Sequence, residues 1–193
     1  MKMTSLQGGF VDAPKQSSQA FRKIMNVLAR PGLIQQLDEA HPPAPLSQAA
    51  GMVLITLCDS QTPVYLADNL DIIEVREWIT FHTNAPIVSA QDCVFAFGTW
   101  ACLTPLDQYA IGTSEYPDRS ATLVVEVDQL EASQFELSGP GIQSTKQLWL
   151  PELDAFQTNA KLFPQGLDFF FTSGDQIAAL PRTTKIKPLE ENA

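Results

Sequence analysis

The residues best equipped for chemistry fall in short polar clusters far apart in the chain. After the apolar run QIAAL (176–180) come Pro181, Arg182, Thr183 and Thr184. Arginine presents a planar fork of donors matched to phosphate or carboxylate, and threonine hydroxyls add to it, so a strand end of this composition suits an anion. The alternative is an arginine–carboxylate staple at a sheet edge, with the threonines acting as strand formers. FHTNAP (81–86) sets His82 beside Thr83 and Asn84, in what reads as a helix-to-strand loop. An imidazole titrating near pH 6.5 serves general acid/base work or phosphate recognition, or it caps a helix or packs. In IGTSEYP, Thr113 offers a further hydroxyl, and Gly112 allows close approach to its backbone.

Several familiar chemistries are missing. There is no GxxxxGK[ST] phosphate loop, and neither GFVDAP nor SGPGIQ has the strand-turn-helix setting of a GxGxxG dinucleotide motif. No serine stands in GxSxG. His41 and His82 lie far apart and the cysteines form no CxxC pair, which argues against a structural zinc. Lys161 and Lys185 are conceivable Schiff-base residues, but a lysine without a defined apolar pocket and partner acid is more often a surface cation, and they are read as that. Asp118, Arg119 and Glu126 read as solvated or edge charges.

The elements that must position these groups alternate between helix and strand. Phe21, Ile24, Met25 and Leu28 recur at helical spacing up to Pro31-Gly32, with Arg22, Lys23, Asn26 and Arg30 on a polar side. A short strand is expected over 33–37, then the connector HPPAP and a helix carrying Leu46 to Leu57. PVYLAD (63–68) predicts a strand, and Asp71 with Glu74 a capping box for the helix through Trp78 and Ile79. CVFAFG (93–98) predicts another strand, and Thr104-Pro105 with Asp107 the start of a short helix. ATLVVEV (121–127) is apolar on both alternating sides except at Glu126, as expected of a central strand covered on both faces.

QFELSGPGI (134–142) and KQLWL (146–150) predict a hairpin or two edge strands. A helix over 151–162 follows, then LDFFFTS and QIAALP as strands joined around Gly174-Asp175. The pattern is α/β with a mixed sheet and an antiparallel C-terminal portion. Trp78, Trp100, Trp149 and Phe169 to Phe171 serve either the core or a contact surface.

At 193 residues, 45% of them apolar, the chain can bury a full core as one domain over 1–193 without metal or disulfide staples. A net charge of -10 opposes loose attraction to nucleic acid or anionic lipid. Cys58, Cys93 and Cys102 leave one thiol unpaired in any intramolecular scheme and read as core residues of a protein in a reducing compartment. The first residues carry no apolar stretch of signal-peptide length, and no segment is apolar for long enough to span a bilayer. A soluble, cytoplasmic protein is expected.

FRKIMNVLARPG (21–32), LCDSQTPV (57–64), FHTNAP, IGTSEYPDRSATLVVEV (111–127), LSGPGI (137–142), FPQGLD (163–168) and LPRTT (180–184), taken in order, resemble the H subunit family of the bacterial carbon-phosphorus lyase system for phosphonate use. The resemblance covers nearly the whole chain. It implies a three-layer α/β/α fold similar to the large domain of pyridoxal-phosphate-dependent transferases, without that cofactor or its lysine. It also implies a homodimer that joins G, I and J subunits in a core complex. That complex couples ATP and an alkylphosphonate into a ribose 1-alkylphosphonate 5-triphosphate with release of adenine, a transferase reaction. Radical cleavage of the carbon-phosphorus bond belongs to another subunit.

On the family's motifs, Phe21-Arg22, His82-Thr83-Asn84 and Pro181 to Thr184 are the matching positions. Arg22, His82, Thr83, Asn84, Thr113, Arg182 and Thr183 are thereby expected to line an anion-accepting cleft or the seam with a partner. No cofactor and no metal ligand is implied. The competing reading is a structural adaptor that organises catalytic subunits without binding substrate. Pro140 stands where some members carry alanine, which keeps the turn of LSGPGI but stiffens it.

Overall fold

The computed structural model describes residues 6–189. The helices are α1 (Ala13–Ala29), α2 (Gln48–Leu57), α3 (Ile73–Thr83), α4 (Trp100–Leu103) and α5 (Leu153–Ala160). The strands are β1 (Gln35–Gln36), β2 (Val64–Leu66), β3 (Phe95–Thr99), β4 (Thr122–Glu126), β5 (Phe135–Ser138), β6 (Lys146–Leu148), β7 (Asp168–Ser173), β8 (Gln176–Leu180) and β9 (Lys185–Pro188). A six-stranded sheet runs in the order β1-β8-β7-β4-β3-β2, and a smaller one in the order β6-β5-β9. In the large sheet β2, β3, β4 and β7 are parallel, β8 returns antiparallel beside β7, and β1 pairs antiparallel with β8. The fold is therefore mixed α/β, with β4 inside the sheet as its sequence requires.

Strand periodicity builds the core on both faces of this sheet. Val64, Leu66, Phe97, Val124, Phe170, Ile177 and Ala179 point to one side, where they meet Ala20, Ile24 and Val27 of α1, the apolar residues of α2, and Val75, Trp78 and Ile79 of α3. Their neighbours Ala96, Leu123, Val125, Phe169, Phe171, Ala178 and Leu180 point to the other side, against Leu103, Phe156, Leu137, Leu148 and Ile186. Alternation by two is the pleat itself. Each buried phenylalanine of the run 169–171 contributes roughly 3 kcal/mol of burial, so β7 anchors both layers at once.

One face is covered by three helices. The other differs from the α/β/α expectation, because α4 and α5 share it with the small antiparallel sheet. That sheet takes in β9, a strand in the segment past Thr184 to which sequence reading assigned no role. Lys185 and Lys187 alternate with buried Ile186, and that single apolar residue is too little signal to predict a strand. Residues 190–193 of this tail, like residues 1–5 of the N-terminal stretch expected to carry no signal peptide, lie outside the described residues.

Local termini correct several expectations. The residue at the α3 N-cap is Ile72, with no side-chain cap; Asp71 instead chelates Arg76 through Nε and Nη2, so the Asp71/Glu74 capping box does not form. Thr104 and Pro105 end α4 and lead into a 3-10 turn, Leu106–Gln108, that lacks a side-chain cap. Ser47 does cap α2, its Oγ accepting from the Ala50 N–H at 3.2 Å. The N-terminal arm is docked, with the His41 N–H donating to the Gly8 carbonyl at 2.7 Å and the Trp78 indole to that of Gln7 at 3.0 Å. Cys58 and Cys93 are buried as expected, while Cys102 is only half-buried, and all are free thiols. Among the described residues no helix is long and apolar enough to cross a membrane.

Candidate functional site

LPRTT, FPQGLD and IGTSEYPDRS meet around Arg182, whereas FHTNAP ends α3 against the N-terminal arm and α1. Arg182 leaves the end of β8 on the face occupied by the small sheet and is held from several sides. Its Nε and Nη2 reach Asp168 Oδ1 and Oδ2 at 3.2 and 2.6 Å, and its own backbone N–H donates to Oδ1 at 2.8 Å. Nη2 also donates to Ser120 Oγ, and Nη1 to the carbonyls of Pro117 at 3.0 Å and Pro164 at 3.4 Å. A guanidinium has five N–H donors, and these contacts use them all. With a side chain only 10% exposed, Arg182 ties the start of β7, the loop before β4 and the end of β8 together. The anion it was expected to meet is the chain's own Asp168.

Thr113 belongs to the neighbouring turn. Its Oγ accepts from the Tyr116 N–H at 2.9 Å, and its own N–H donates to the Tyr116 carbonyl at 3.1 Å. Gln165 joins this loop by donating to the Gly112 carbonyl at 2.9 Å. Gly112 has φ +77, and a Cβ there would strike Pro117, so the close approach read from the sequence is to the loop's own backbone. Thr183 lies in the turn before β9, half-buried.

His82 and Thr83 form the last turn of α3 and are not in a loop. Thr83 Oγ donates to the Ile79 carbonyl at 2.9 Å and accepts from the Ala85 N–H at 3.0 Å. Asn84 is the C-cap in the left-handed region, φ 53, its N–H bonded to Thr80. The Thr83-Asn84 pair thus ends a helix, the role in which asparagine tolerates positive φ and threonine satisfies a free carbonyl.

His82 itself faces the arm and the other helices. Its ring lies 4.8 Å from that of Trp78 and 5.0 Å from that of Phe81. Gly9 packs flat against it, leaving no room for a Cβ. Nε2 is buried without a partner among the described residues. Burial pushes the imidazole pKa below its ordinary value, and a hydrogen bond with the Leu6 backbone opposes that shift. Beside it is a hollow of about 330 Å³ lined by Phe10, Ala13, Pro14, Ser17, Ile55 and His82. Arg22 projects from α1 and is exposed, next to Phe21, which is 49% exposed.

A carboxylate that sequence reading placed among solvated charges turns out to be structural. Glu126, the last residue of β4, tucks its Oε1 against the Ser47 N–H at 2.8 Å and its Oε2 against Thr172 Oγ at 3.0 Å. Burial raises its pKa, and the bonds from Ser47 and Thr172 pull it back down. The first amides of α2 are taken up in this way, since Ala49 N–H also donates to the Gly174 carbonyl at 2.9 Å. The polar end of an otherwise apolar strand was the available signal. The partner amides come from a helix 79 residues earlier, which no local pattern reveals.

In this mixed α/β domain the side chains of Arg182, Thr83 and Thr113 are held by the chain's own loops and helix ends. The family model described as bacterial phosphonate metabolism protein (PhnH) matches residues 8–187. The chain is 43% identical over 189 residues, 93% of its length and 94% of the relative's, to the alpha-D-ribose 1-methylphosphonate 5-triphosphate synthase subunit PhnH of Rhizobium meliloti (strain 1021). It is 33% identical over 182 residues, 90% of its length and 87% of the relative's, to the putative C-P lyase subunit protein HtxG of Stutzerimonas stutzeri. The chain belongs to the PhnH family of bacterial phosphonate metabolism proteins.

Proposed function

We propose that this chain works as a subunit of the synthase that joins an alkylphosphonate to the ribose 5-triphosphate portion of ATP and releases adenine, in phosphonate catabolism. The observation that carries this reading is the match along almost the whole of a synthase subunit at 43% identity. Its working form is a cytoplasmic homodimer bound to G, I and J subunits, with a fold akin to the large domain of pyridoxal-phosphate-dependent transferases and no cofactor of its own. The overall activity is that of a transferase, and the chain alone is inactive.

Within that assembly, the geometry supports a scaffold more than a reaction centre. The side chains of Arg182, Thr83 and Thr113 are engaged by hydrogen bonds inside the chain, and Asn84 serves as the C-cap of α3. His82, with an unpartnered Nε2 beside a hollow, is the residue best placed to contribute to a shared site, and Arg22 is the exposed cation best placed to meet a partner or a phosphate at the seam. Calorimetry with ATP and methylphosphonate, on the chain alone and on the reconstituted complex, tests this. Loss of ligand binding in His82→Gln or Arg22→Ala with assembly intact would assign the chain a share of the site. Loss of assembly with ligand binding unchanged in whatever complex forms supports the scaffold.

A further inference from the structure

We propose that the large cavity between α5 and the segment following α4 is a docking pocket for a cationic segment of another subunit, a lysine or arginine presented between aliphatic side chains. The choice of partner rests on the reading of the chain as a subunit of a complex. The cavity holds about 630 Å³, and its apolar lining includes Leu106, Ile111 and the buried Leu167. Its charged rim is acidic: Asp107 rises from the 3-10 turn on one wall, Glu152 and Asp154 from the start of α5 on the other, and among the described residues no lysine, arginine or histidine lines it. The three carboxylates are exposed.

Two further features define the occupant. Glu152 is held in place by the Trp100 indole N–H, 3.1 Å from its Oε2, so one carboxylate of the rim is already oriented. Leu162 is 41% exposed and Phe163, next to it, 62%, so the apolar surface continues beyond the cavity mouth and suits a stretch of polypeptide better than a small amine. A negative rim repels phosphate, phosphonate and nucleotide, which sets this pocket apart from any anion site. Apolar lining and acidic rim together match a cation carried on an apolar segment, with the charge setting orientation and the lining supplying burial.

The test begins on the free chain. A capped leucine–arginine–leucine tripeptide is titrated in while the Trp100 indole N–H resonance is followed. The expected result is a saturable shift that weakens with added salt, falls about tenfold in affinity in D107N/E152Q/D154N and is absent with the leucine–glutamate–leucine peptide. No saturable shift, an equal response to the glutamate peptide, or full affinity in the triple variant would overturn the proposal. In the reconstituted complex, the triple variant and Ala155→Trp, each confirmed folded by its melting curve, should weaken assembly by a similar factor. Unchanged assembly of both variants at low and high salt also overturns it. Failure of the wild-type chain to assemble at all, with the tripeptide still bound, sinks the subunit reading and leaves the pocket's preference for a cation standing.

Discussion

At the scale of single residues, the side chains that looked most reactive are the ones most used by the fold. Arg182 is the clearest case. Truncating it strands Asp168 and frees the carbonyls of Pro117 and Pro164, so Arg182→Ala should cost about 3 kcal/mol in urea unfolding, and Arg182→Lys a smaller but clear amount because an ammonium cannot reproduce the fork. A cost under about 1 kcal/mol for Arg182→Ala would show that the contacts are dispensable. The sequence left a staple and an anion site equally open here, since both need the same donors; only the position of Asp168 decides between them. His82 titrates in the opposite sense to a salt-bridged histidine. Its folded pKa lies below the unfolded value of about 6.5, so the unfolded chain takes the extra proton. Its contribution is complete above about pH 6.5 and is lost as pH falls towards the folded pKa. In His82→Gln the stability profile should be flatter across that interval; an unchanged slope would mean the ring is not desolvated.

At the scale of elements, long periodic segments were readable and their junctions were not. β4, β7 and β8 declare themselves as continuous apolar runs, and α1 and α2 by helical spacing, because burial on one or two faces writes itself directly into apolar residues. The ends of α3 and α4 are set by bonds between residues at most five apart that no apolar period marks, while the first turn of α2 and the start of β9 depend on partners far away in the chain. Glu126 joins β4 to the first turn of α2 and is the best example. Its raised pKa means that its contribution is present below the ordinary carboxylate value of 4.5 and is lost as pH rises through the folded pKa. Glu126→Gln keeps an acceptor for the Ser47 N–H without the buried charge, so it should unfold at pH 7 with a urea midpoint no lower than that of the wild type, whereas Glu126→Ala should lose about 1–2 kcal/mol by orphaning that amide. Gly141 is the corresponding joint between the small sheet and α1. With φ +82 and a virtual Cβ overlapping the Ala29 carbonyl, it accepts no side chain, and Gly141→Ala should cost at least about 1–3 kcal/mol. Pro140 beside it stiffens a turn that is already held by α1.

At the scale of the whole molecule, family membership was legible because many short motifs occur in the right order along nearly the full length. The location of a site was not, because the polar groups of LPRTT, FPQGLD and IGTSEYPDRS bind one another around Arg182 while FHTNAP ends α3. On the proposed function, the chain is a necessary member of an assembly whose reacting groups are largely contributed by others. Adenine release from ATP in the presence of methylphosphonate, with purified G, I and J subunits and with or without this chain, tests that claim most directly. Adenine should appear only when the chain is added, the chain should co-migrate with the other subunits, and by itself it should release none. Equal adenine release in its absence, or a chain that stays apart from active partners, would contradict that claim.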